Sequence, residues 1–185
     1  PRTIMLGHSD LTEQLEVPQC ECLNAANEHT LHHALAPPDR DDPSLFLQSD
    51  DDPELLIHIK FMQAVRISAI KIEGPLSSAP SKLVLFVNKT GIDFDSVRDE
   101  PPTQSIDLAA TNVGSDSKPV GLRFVNFQNV QTLSLFVPDN LGGEDQTAIS
   151  KLLFIGVPIM HEGSKRSEAE QKASSQADWL GKGIA

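Results

Sequence analysis

The sequence predicts an all-β protein in which two antiparallel sheets pack face to face. About eight strand-like segments fall within about 115 residues, from position 44 to position 159. Clusters of Gly, Pro, Asn and Asp separate these segments, and helical patterns do not alternate with them. Because a parallel sheet needs a crossover helix between successive strands, the pattern favours an antiparallel β-sandwich.

The composition of the chain favours some classes of binding partner over others. The chain has 185 residues and a formal net charge of −11, from 15 basic and 26 acidic residues. Its length suits one domain that buries a core without disulfides or metals. The negative charge argues against nucleic acid and anionic membranes as partners, because like charges repel. It leaves a basic protein surface as a suitable partner.

Three regions are expected along the chain: a flexible segment over residues 1–8, a β domain over 9–160 and a polar tail over 161–185. The tail lacks regular apolar spacing before Trp179 and Leu180, which is typical of disorder, although such a pair also suits a partner-binding anchor. The chain starts with Pro rather than Met, so we expect a processed chain or part of a longer one. We expect it to be a monomer.

The N-terminal part predicts short helical elements. Leu11 and Leu15 would lie on one face of a helix over about residues 9–17. A further helical turn is predicted over residues 28–36, where Pro37 and Pro38 end it. The predicted strands follow the period-two alternation of apolar residues and cover positions 20–24, 44–48, 54–61, 65–72, 82–87, 105–108, 122–127, 130–137 and 149–159.

Residues 122–137 are the most apolar stretch and predict the middle of the β core. We interpret them as two half-buried strands joined by a turn at Gln128 and Asn129, with Phe124 and Phe127 as core residues. Elsewhere, a bulge is expected near Ala69, where the alternation of apolar residues changes face. Residues 82–87 are apolar on both faces and predict a central strand, whereas 105–108 predict an edge strand.

Several short motifs together resemble one known family. In chain order they are ECLN at 21–24, SDDDPELLI at 49–57, GP at 74–75, LFVN at 85–88, RFVNFQNV at 123–130, LSLFV at 133–137 and T-x-I-S-x-L-x-FIG at 147–156. This order and spacing are similar to the PITH domain, a C-terminal module of thioredoxin-like proteins. The resemblance covers about residues 11–158.

The resemblance implies a jelly-roll β-sandwich, similar to galactose-binding-like domains, that docks on the regulatory particle of the 26S proteasome. It implies no catalysis and no cofactor, and it implies a thioredoxin domain upstream of this chain. The corresponding location is the cytoplasm, with the nucleus as a further compartment. Cys22 matches the cysteine of the family's ECLN motif, which we interpret as a structural core residue.

Two clusters contain residue types that bind metals. Cys20 and Cys22 precede His29, His32 and His33, but the spacing is not that of a zinc finger, and buried thiols with loop histidines remain the alternative. Two cysteines are too few for a secreted disulfide framework, which favours a reducing compartment. No C-x-x-C redox motif, nucleophile elbow or phosphate-binding loop occurs in the sequence.

The second cluster is the acidic run of Asp50, Asp51, Asp52 and Glu54. Asp50, Asp52 and Glu54 are candidate calcium ligands, since calcium takes several oxygen ligands. The alternative is a loop whose carboxylates accept backbone N–H bonds and fix the start of the next strand.

The functional hypothesis is a protein-interaction module that docks through loops at one end of the sandwich. The candidate partner-binding residues are the acidic run together with Gln128 and Asn129. The competing hypothesis is a jelly roll that binds a small ligand or a carbohydrate, stabilised by calcium. The low aromatic content of 5% argues against it, because sugar sites stack the ring on exposed aromatic residues.

Overall fold

The computed structural model describes residues 7–159, and these residues form ten strands and two short α-helices. The tail expected over 161–185, and all but the last two residues of the segment expected over 1–8, lie outside the described residues. The strands are β1 (Ser9–Asp10), β2 (Glu21–Leu23), β3 (Leu47–Gln48), β4 (Leu55–Glu73), β5 (Lys82–Val87), β6 (Gln104–Asp107), β7 (Val120–Gly121), β8 (Val130–Val137), β9 (Ala148–Ile149) and β10 (Lys151–Pro158). The helices are α1 (Leu31–Leu35) and α2 (Ala110–Val113), and none in the described part is long and apolar enough to cross a membrane.

One curled antiparallel sheet contains eight of these strands. Its order is β1-β10-β4-β8-β5-β6, and β2 and β7 also pair with β4. The remaining two strands, β3 and β9, form a separate small sheet. All pairs are antiparallel, as the sequence predicts, and β6 lies at the edge of the sheet as expected for residues 105–108.

The 19-residue strand β4 lets this single sheet form two layers. Residues 55–60 pair with β8 and β2, whereas residues 65–73 pair with β10 and β7 and keep only the Val65–Val130 pair with β8. The register shifts between Lys60 and Val65, and such a bulge bends a strand. A second shift occurs opposite residues 67–69 of β4, which confirms the bulge predicted near Ala69.

The hydrophobic core lies between the two layers. Leu55, Ile57 and Ile59 from the first half of β4 belong to the same buried cluster as Ile70 and Ile72 from the second half. A smaller cluster lies on the outer face of the sheet, where residues 92–97 cover Leu56, Phe86 and Phe136. This explains why β5 is apolar on both faces.

Two local predictions differ from the structure. The N-terminal segment is not one helix over residues 9–17: it forms β1 and then 3-10 helices at Thr12–Gln14 and Val17–Gln19. Leu11 and Leu15 are buried as predicted, but Leu11 is fixed by a backbone hydrogen bond to Phe154, and Leu15 bridges to Phe61. Pairing with neighbouring strands therefore outweighs the local helical spacing.

The hairpin predicted over residues 122–137 is also wrong in its first half. Phe124–Asn126 is a 3-10 helix, and only the second half is a strand, β8. Phe127 is fully buried, but Val125 is 82% exposed. The segment therefore fills a corner of the core with one aromatic side chain instead of adding a strand to the sheet.

Candidate functional site

The acidic loop, residues 50–54, lies at one end of the sandwich and leads directly into β4. Leu55, the first residue of β4, pairs with Val137, the last residue of β8. Asp50, Asp51 and Asp52 are exposed, whereas Ser49 immediately before them is buried. The loop therefore presents carboxylates to solvent from a backbone that is anchored at both ends.

Asn24, directly after β2, holds the centre of the acidic loop. Its side-chain amide donates hydrogen bonds to the Asp52 carbonyl (3.2 Å), the Asp52 carboxylate (2.9 Å) and the Glu54 carbonyl (2.7 Å). Its side-chain oxygen, Oδ1, accepts the Asp51 N–H at 3.2 Å. Asn24 has φ of 65°, a left-handed conformation that Asn tolerates better than most residues.

The segment before β9 holds the two ends of the loop. The Gln146 amide donates to the Asp50 carbonyl at 2.9 Å, and the Thr147 hydroxyl donates to the Pro53 carbonyl at 2.6 Å. Thr147 is fully buried, so this contact connects the loop to the interior. The acidic loop is thus fixed by two segments that are distant in sequence.

Arg98 neutralises one of the carboxylates. Its guanidinium forms an ion pair with Glu54 and lies 5.7 Å from the centre of the Phe136 ring. The Asp52 carboxylate is used within the loop, since it accepts the Glu54 N–H at 2.9 Å. The carboxylates of Asp50 and Asp51 make no ion pair or hydrogen bond within residues 7–159 and project into solvent.

These hydrogen bonds and the ion pair match the second interpretation of the acidic run, a structured loop rather than a calcium site. In that interpretation, carboxylates accept backbone N–H bonds and fix the start of a strand. Glu54 is directed to Arg98 and Asp52 to Asn24, so Asp50, Asp52 and Glu54 do not converge as calcium ligands. Within residues 7–159, no group of three or more His, Cys, Asp or Glu side chains is arranged to hold a metal ion.

Gln128 and Asn129 lie at the opposite end of β8 from the acidic loop. They precede Val130, which pairs with Val65, whereas the acidic loop adjoins the Leu55–Val137 pair. Seven residue steps of about 3.3 Å separate these ends, or about 23 Å. The expectation that both groups share one end of the sandwich is therefore wrong.

The polar groups of Gln128 and Asn129 are used in the turn before β8. The Gln128 amide donates to the Phe124 carbonyl, and the Asn129 carbonyl accepts a hydrogen bond from the Asn88 amide at 2.7 Å. Asn88 has φ of 53°, and its side-chain oxygen, Oδ1, accepts two backbone N–H groups of β8. Phe124 is only half-buried, with its ring 5.7 Å from that of His8.

The cysteine and histidine cluster is dispersed in the structure. His29 stacks on Phe46 with ring centres 4.1 Å apart, and the His32 ring pairs with Asp39 at 3.1 Å. Cys20 and Cys22 are free thiols packed against the core. Desolvation by burial raises the pKa of both, that of Cys22 to about 12.

A thiol with a pKa of about 12 is a poor nucleophile at neutral pH, because the thiolate is the reactive form. We expect iodoacetamide at pH 8 to modify Cys22 on the order of 10³-fold more slowly than a free cysteine with pKa of about 8.5. Peptide mass spectrometry would measure the rate. Urea-unfolded chain is the control, and equal rates in folded and unfolded chain would contradict the assignment.

His58 of β4 is half-buried. Its Nδ1 lies 2.8 Å from the Ser134 hydroxyl, across the β4–β8 pair. Burial lowers its pKa, partly offset by the Glu21 carboxylate and by a hydrogen bond to the Ile92 backbone. The hydrogen bond to Ser134 therefore connects the His58 ring to β8.

Three residues fix the acidic loop without being evident as functional from the sequence: Asn24, Arg98 and Gln146. For Asn24 a signal existed, since an Asn that directly follows a strand often adopts a left-handed turn conformation. Its partners lie 28 and 30 residues later in the chain, and no local pattern indicates such a pairing.

Comparison with solved structures supports the jelly-roll class. A family 32 carbohydrate-binding module from Clostridium perfringens NanJ, in complex with galactose, has a TM-score of 0.54 at 11% identity and covers 80% of this chain and 98% of its own. A fucolectin from striped bass serum has a TM-score of 0.56 at 9% identity and covers 82% of this chain and 50% of its own. At such identities the likeness establishes the fold alone.

Sequence comparisons identify the family. The family model described as the PITH domain matches residues 2–175. Thioredoxin-like protein 1 of Schizosaccharomyces pombe is 36% identical over 157 residues, which cover 83% of this chain and 53% of that protein. PITH domain-containing protein 1 of Dictyostelium discoideum is 30% identical over 161 residues, or 84% and 75% of the two chains. The chain therefore belongs to the PITH domain family.

Proposed function

We propose that this chain is a non-catalytic protein-interaction module that docks a thioredoxin-like protein on the regulatory particle of the 26S proteasome. The acidic loop is the docking surface. In this role the module acts as a monomer in the cytoplasm, with the nucleus as a further compartment. Its partner surface is basic, because the loop offers unpaired carboxylates.

The observation that carries the proposal is the contrast between the fixed backbone of the acidic loop and the free carboxylates of Asp50 and Asp51. Bonds from Asn24, Gln146 and Thr147 hold the loop in one conformation. A preformed loop loses little conformational entropy on binding, so its charges contribute more fully to affinity. Opposite charge on the partner also accelerates association.

The thiol chemistry supports a non-catalytic role for this part of the protein. Both cysteines have a raised pKa, so neither resembles the activated thiolate of a redox enzyme. The chain spans about half the length of the fission yeast relative, which is named a thioredoxin-like protein. We propose that redox activity belongs to a thioredoxin domain preceding this module.

A carbohydrate-binding role is the alternative, since the similar folds include modules solved with sugars. Sugar rings usually stack on exposed aromatic side chains. In residues 7–159 the exposed large apolar side chains are Met62, Leu76 and Val125, and none of them is aromatic. The surface of the described sandwich therefore suits a protein partner better than a sugar.

Charge reversal in the acidic loop tests the proposal. The double variant Asp50→Lys/Asp51→Lys removes two exposed carboxylates and leaves the bonds to Asn24, Gln146 and Arg98 intact. We expect its affinity for purified regulatory particle to fall about tenfold or more, mainly through slower association that depends on salt. Surface-immobilised regulatory particle would report both rates.

The matched control compares Asp51→Lys with Glu13→Lys, since the two variants have the same net charge. Glu13 is exposed in the 3-10 helix Thr12–Gln14, whose neighbour Gln14 bonds to Gln63 beside the bulge of β4. We expect Glu13→Lys to bind like the wild type. Equal losses of affinity for Asp51→Lys and Glu13→Lys would mean that net charge alone explains the effect and would contradict the assignment of the loop. Absence of binding by the folded wild type would overturn the proposal.

A further inference from the structure

An apolar cleft lies outside the acidic loop and has no role in the proposed docking. It has a volume of about 310 Å³ and lies between the 3-10 helix Val17–Gln19 and α1. Its floor is apolar, since Leu31 is 5% exposed and Leu35 is fully buried. The complete lining is Val17, Pro18, Cys20, Leu31, His32 and Leu35.

The polar groups at the cleft are already engaged within the domain. The Cys20 sulfur accepts the Lys60 N–H at 3.3 Å and lies within reach of the Glu16 carbonyl at 3.6 Å. The His32 ring pairs with Asp39. The cleft therefore offers apolar surface to an occupant, and burial of that surface is the main favourable contribution.

The last described residues, at the end of β10, lie along the same edge of β4 as the cleft. β10 pairs with the second half of this edge and runs antiparallel to β4, towards lower residue numbers of that strand. Ile159 donates to the Ala64 carbonyl at 2.9 Å, and the next groups along the edge are the Leu15–Phe61 bridge and the bond from Glu16 to Lys60. The exit direction is therefore towards the cleft.

The distance from this exit to the cleft is short. Ala64 and Lys60 are four residues apart on β4, which corresponds to about 13 Å at about 3.3 Å per residue. Lys60 in turn contacts Cys20, which lines the cleft. Nineteen residues, 160–178, separate Ile159 from Trp179. A random coil of that length has an end-to-end distance of about 24 Å, so the span and the linker match in scale.

Trp179 is the only tryptophan of the chain, and Leu180 follows it. An indole ring buries on the order of 200 Å² and is the aromatic side chain most often found as an anchor in apolar pockets. Because linker and span match, its effective concentration at the cleft is on the order of 1 mM. Even a contact of weak intrinsic affinity is then formed in most molecules.

We propose that this cleft is an intramolecular binding site for Trp179 and Leu180 of the same chain. Val17, Pro18, Leu31 and Leu35 supply the apolar surface that an indole ring would contact. The contact holds the C-terminal segment on the edge of the sandwich, away from the acidic loop. It is independent of the proposed docking function.

The single tryptophan makes the test direct, since fluorescence of the 185-residue chain reports on Trp179 alone. A contact with Kd of about 0.2 mM gives about five closed molecules for each open one at that effective concentration. We therefore expect acrylamide to quench Trp179 about fivefold less than a free peptide of residues 174–185, with emission at shorter wavelength. Quenching equal to the peptide's would overturn the proposal.

Two valine variants locate the contact. Val17→Asp places a carboxylate in the cleft wall, and we expect it to restore quenching to the level of the free peptide. Val125→Asp makes the same change at an exposed site on another surface and is expected to leave quenching unchanged. Protection that survives Val17→Asp would mean that Trp179 binds elsewhere. Protection that depends on protein concentration would mean that the occupant comes from a second copy.

A variant of Trp179 itself tests the site without altering the sandwich. Trp179→Ala changes no residue of the described domain, so it cannot fail through misfolding of the cleft. We expect it to raise the alkylation rate of Cys20, followed by peptide mass spectrometry, about fivefold relative to wild type. An unchanged rate would show that Trp179 does not cover Cys20 and would contradict the proposal.

Discussion

Replacing Phe61 with alanine is expected to lower the free energy of unfolding by about 3–5 kcal/mol, the usual range for a buried Phe→Ala change. Phe61 is 1% exposed and lies at the bend of β4, where the two layers of the sandwich meet. Its ring contacts Phe154 of β10 edge-to-face, with centres 5.8 Å apart. Removing it leaves a cavity between the layers that the bulged backbone cannot close.

Met62 provides the control for this prediction, because it is adjacent in sequence but 60% exposed. We expect Met62→Ala to change the free energy of unfolding by less than about 0.5 kcal/mol. Urea denaturation followed by circular dichroism would measure both variants. Similar losses for the two would mean that the bend does not depend on the packing between the layers.

Asn24→Ala is expected to destabilise the chain by about 3 kcal/mol. About 2 kcal/mol comes from the lost side-chain hydrogen bonds to the acidic loop, and about 1 kcal/mol from placing alanine in a left-handed conformation. Asn24→Gly separates the two contributions, because glycine adopts positive φ without strain. We expect it to lose only the first. If urea denaturation showed the same loss of unfolding free energy for Asn24→Ala and Asn24→Gly, the left-handed backbone would contribute nothing to the effect. That result would contradict this part of the prediction.

Asn88→Ala is the matched control for function. Asn88 also has positive φ and also uses its side chain to bond three backbone groups, but it lies beside Asn129 at the opposite end of β8. Both Ala variants should therefore lose similar stability. Only Asn24→Ala should weaken binding to the regulatory particle, by about tenfold at a temperature where both variants remain folded, because a loosened loop must be ordered on binding.

The strands could be predicted where the sequence alternates strictly and each strand has a partner on both sides. β5 is an example, since it covers Lys82–Val87, the range that the sequence predicts. The strands predicted over 54–61 and 65–72 are both present, but they are joined into the single strand β4, Leu55–Glu73. The bulge near Ala69 was also predictable, because a change of face in an apolar alternation requires an extra residue. Period-two patterns thus predicted most of the curled sheet.

The errors come from interactions between distant parts of the chain. Leu11 and Leu15 have helical spacing, yet Asp10 pairs with Ile155, which lies 145 positions later in the chain. Phe124 and Phe127 sit in an apolar run, but Leu122 and Phe127 bond to adjacent residues of β4, and Phe124–Asn126 between them forms a 3-10 helix. Sequence periodicity carries no information about which edges are already paired.

The same reason explains what was missed at the acidic loop. Its carboxylates were evident from composition, and so was the loop alternative to a calcium site. That Asn24 holds the loop and Arg98 neutralises Glu54 depends on contacts between residues 28 to 44 positions apart. The division between free and engaged carboxylates, on which the docking proposal rests, therefore required the structure.

Hydrogen exchange on the complex tests the central claim most directly. Amide exchange would be measured on this chain alone and when bound to purified regulatory particle. The docking proposal predicts slower exchange on binding for residues 50–54 and for Gln146, with little change at Gln128 and Asn129. Protection confined to the Gln128 end, or none on the folded chain at saturating regulatory particle, would contradict the assignment of the acidic loop as the docking surface.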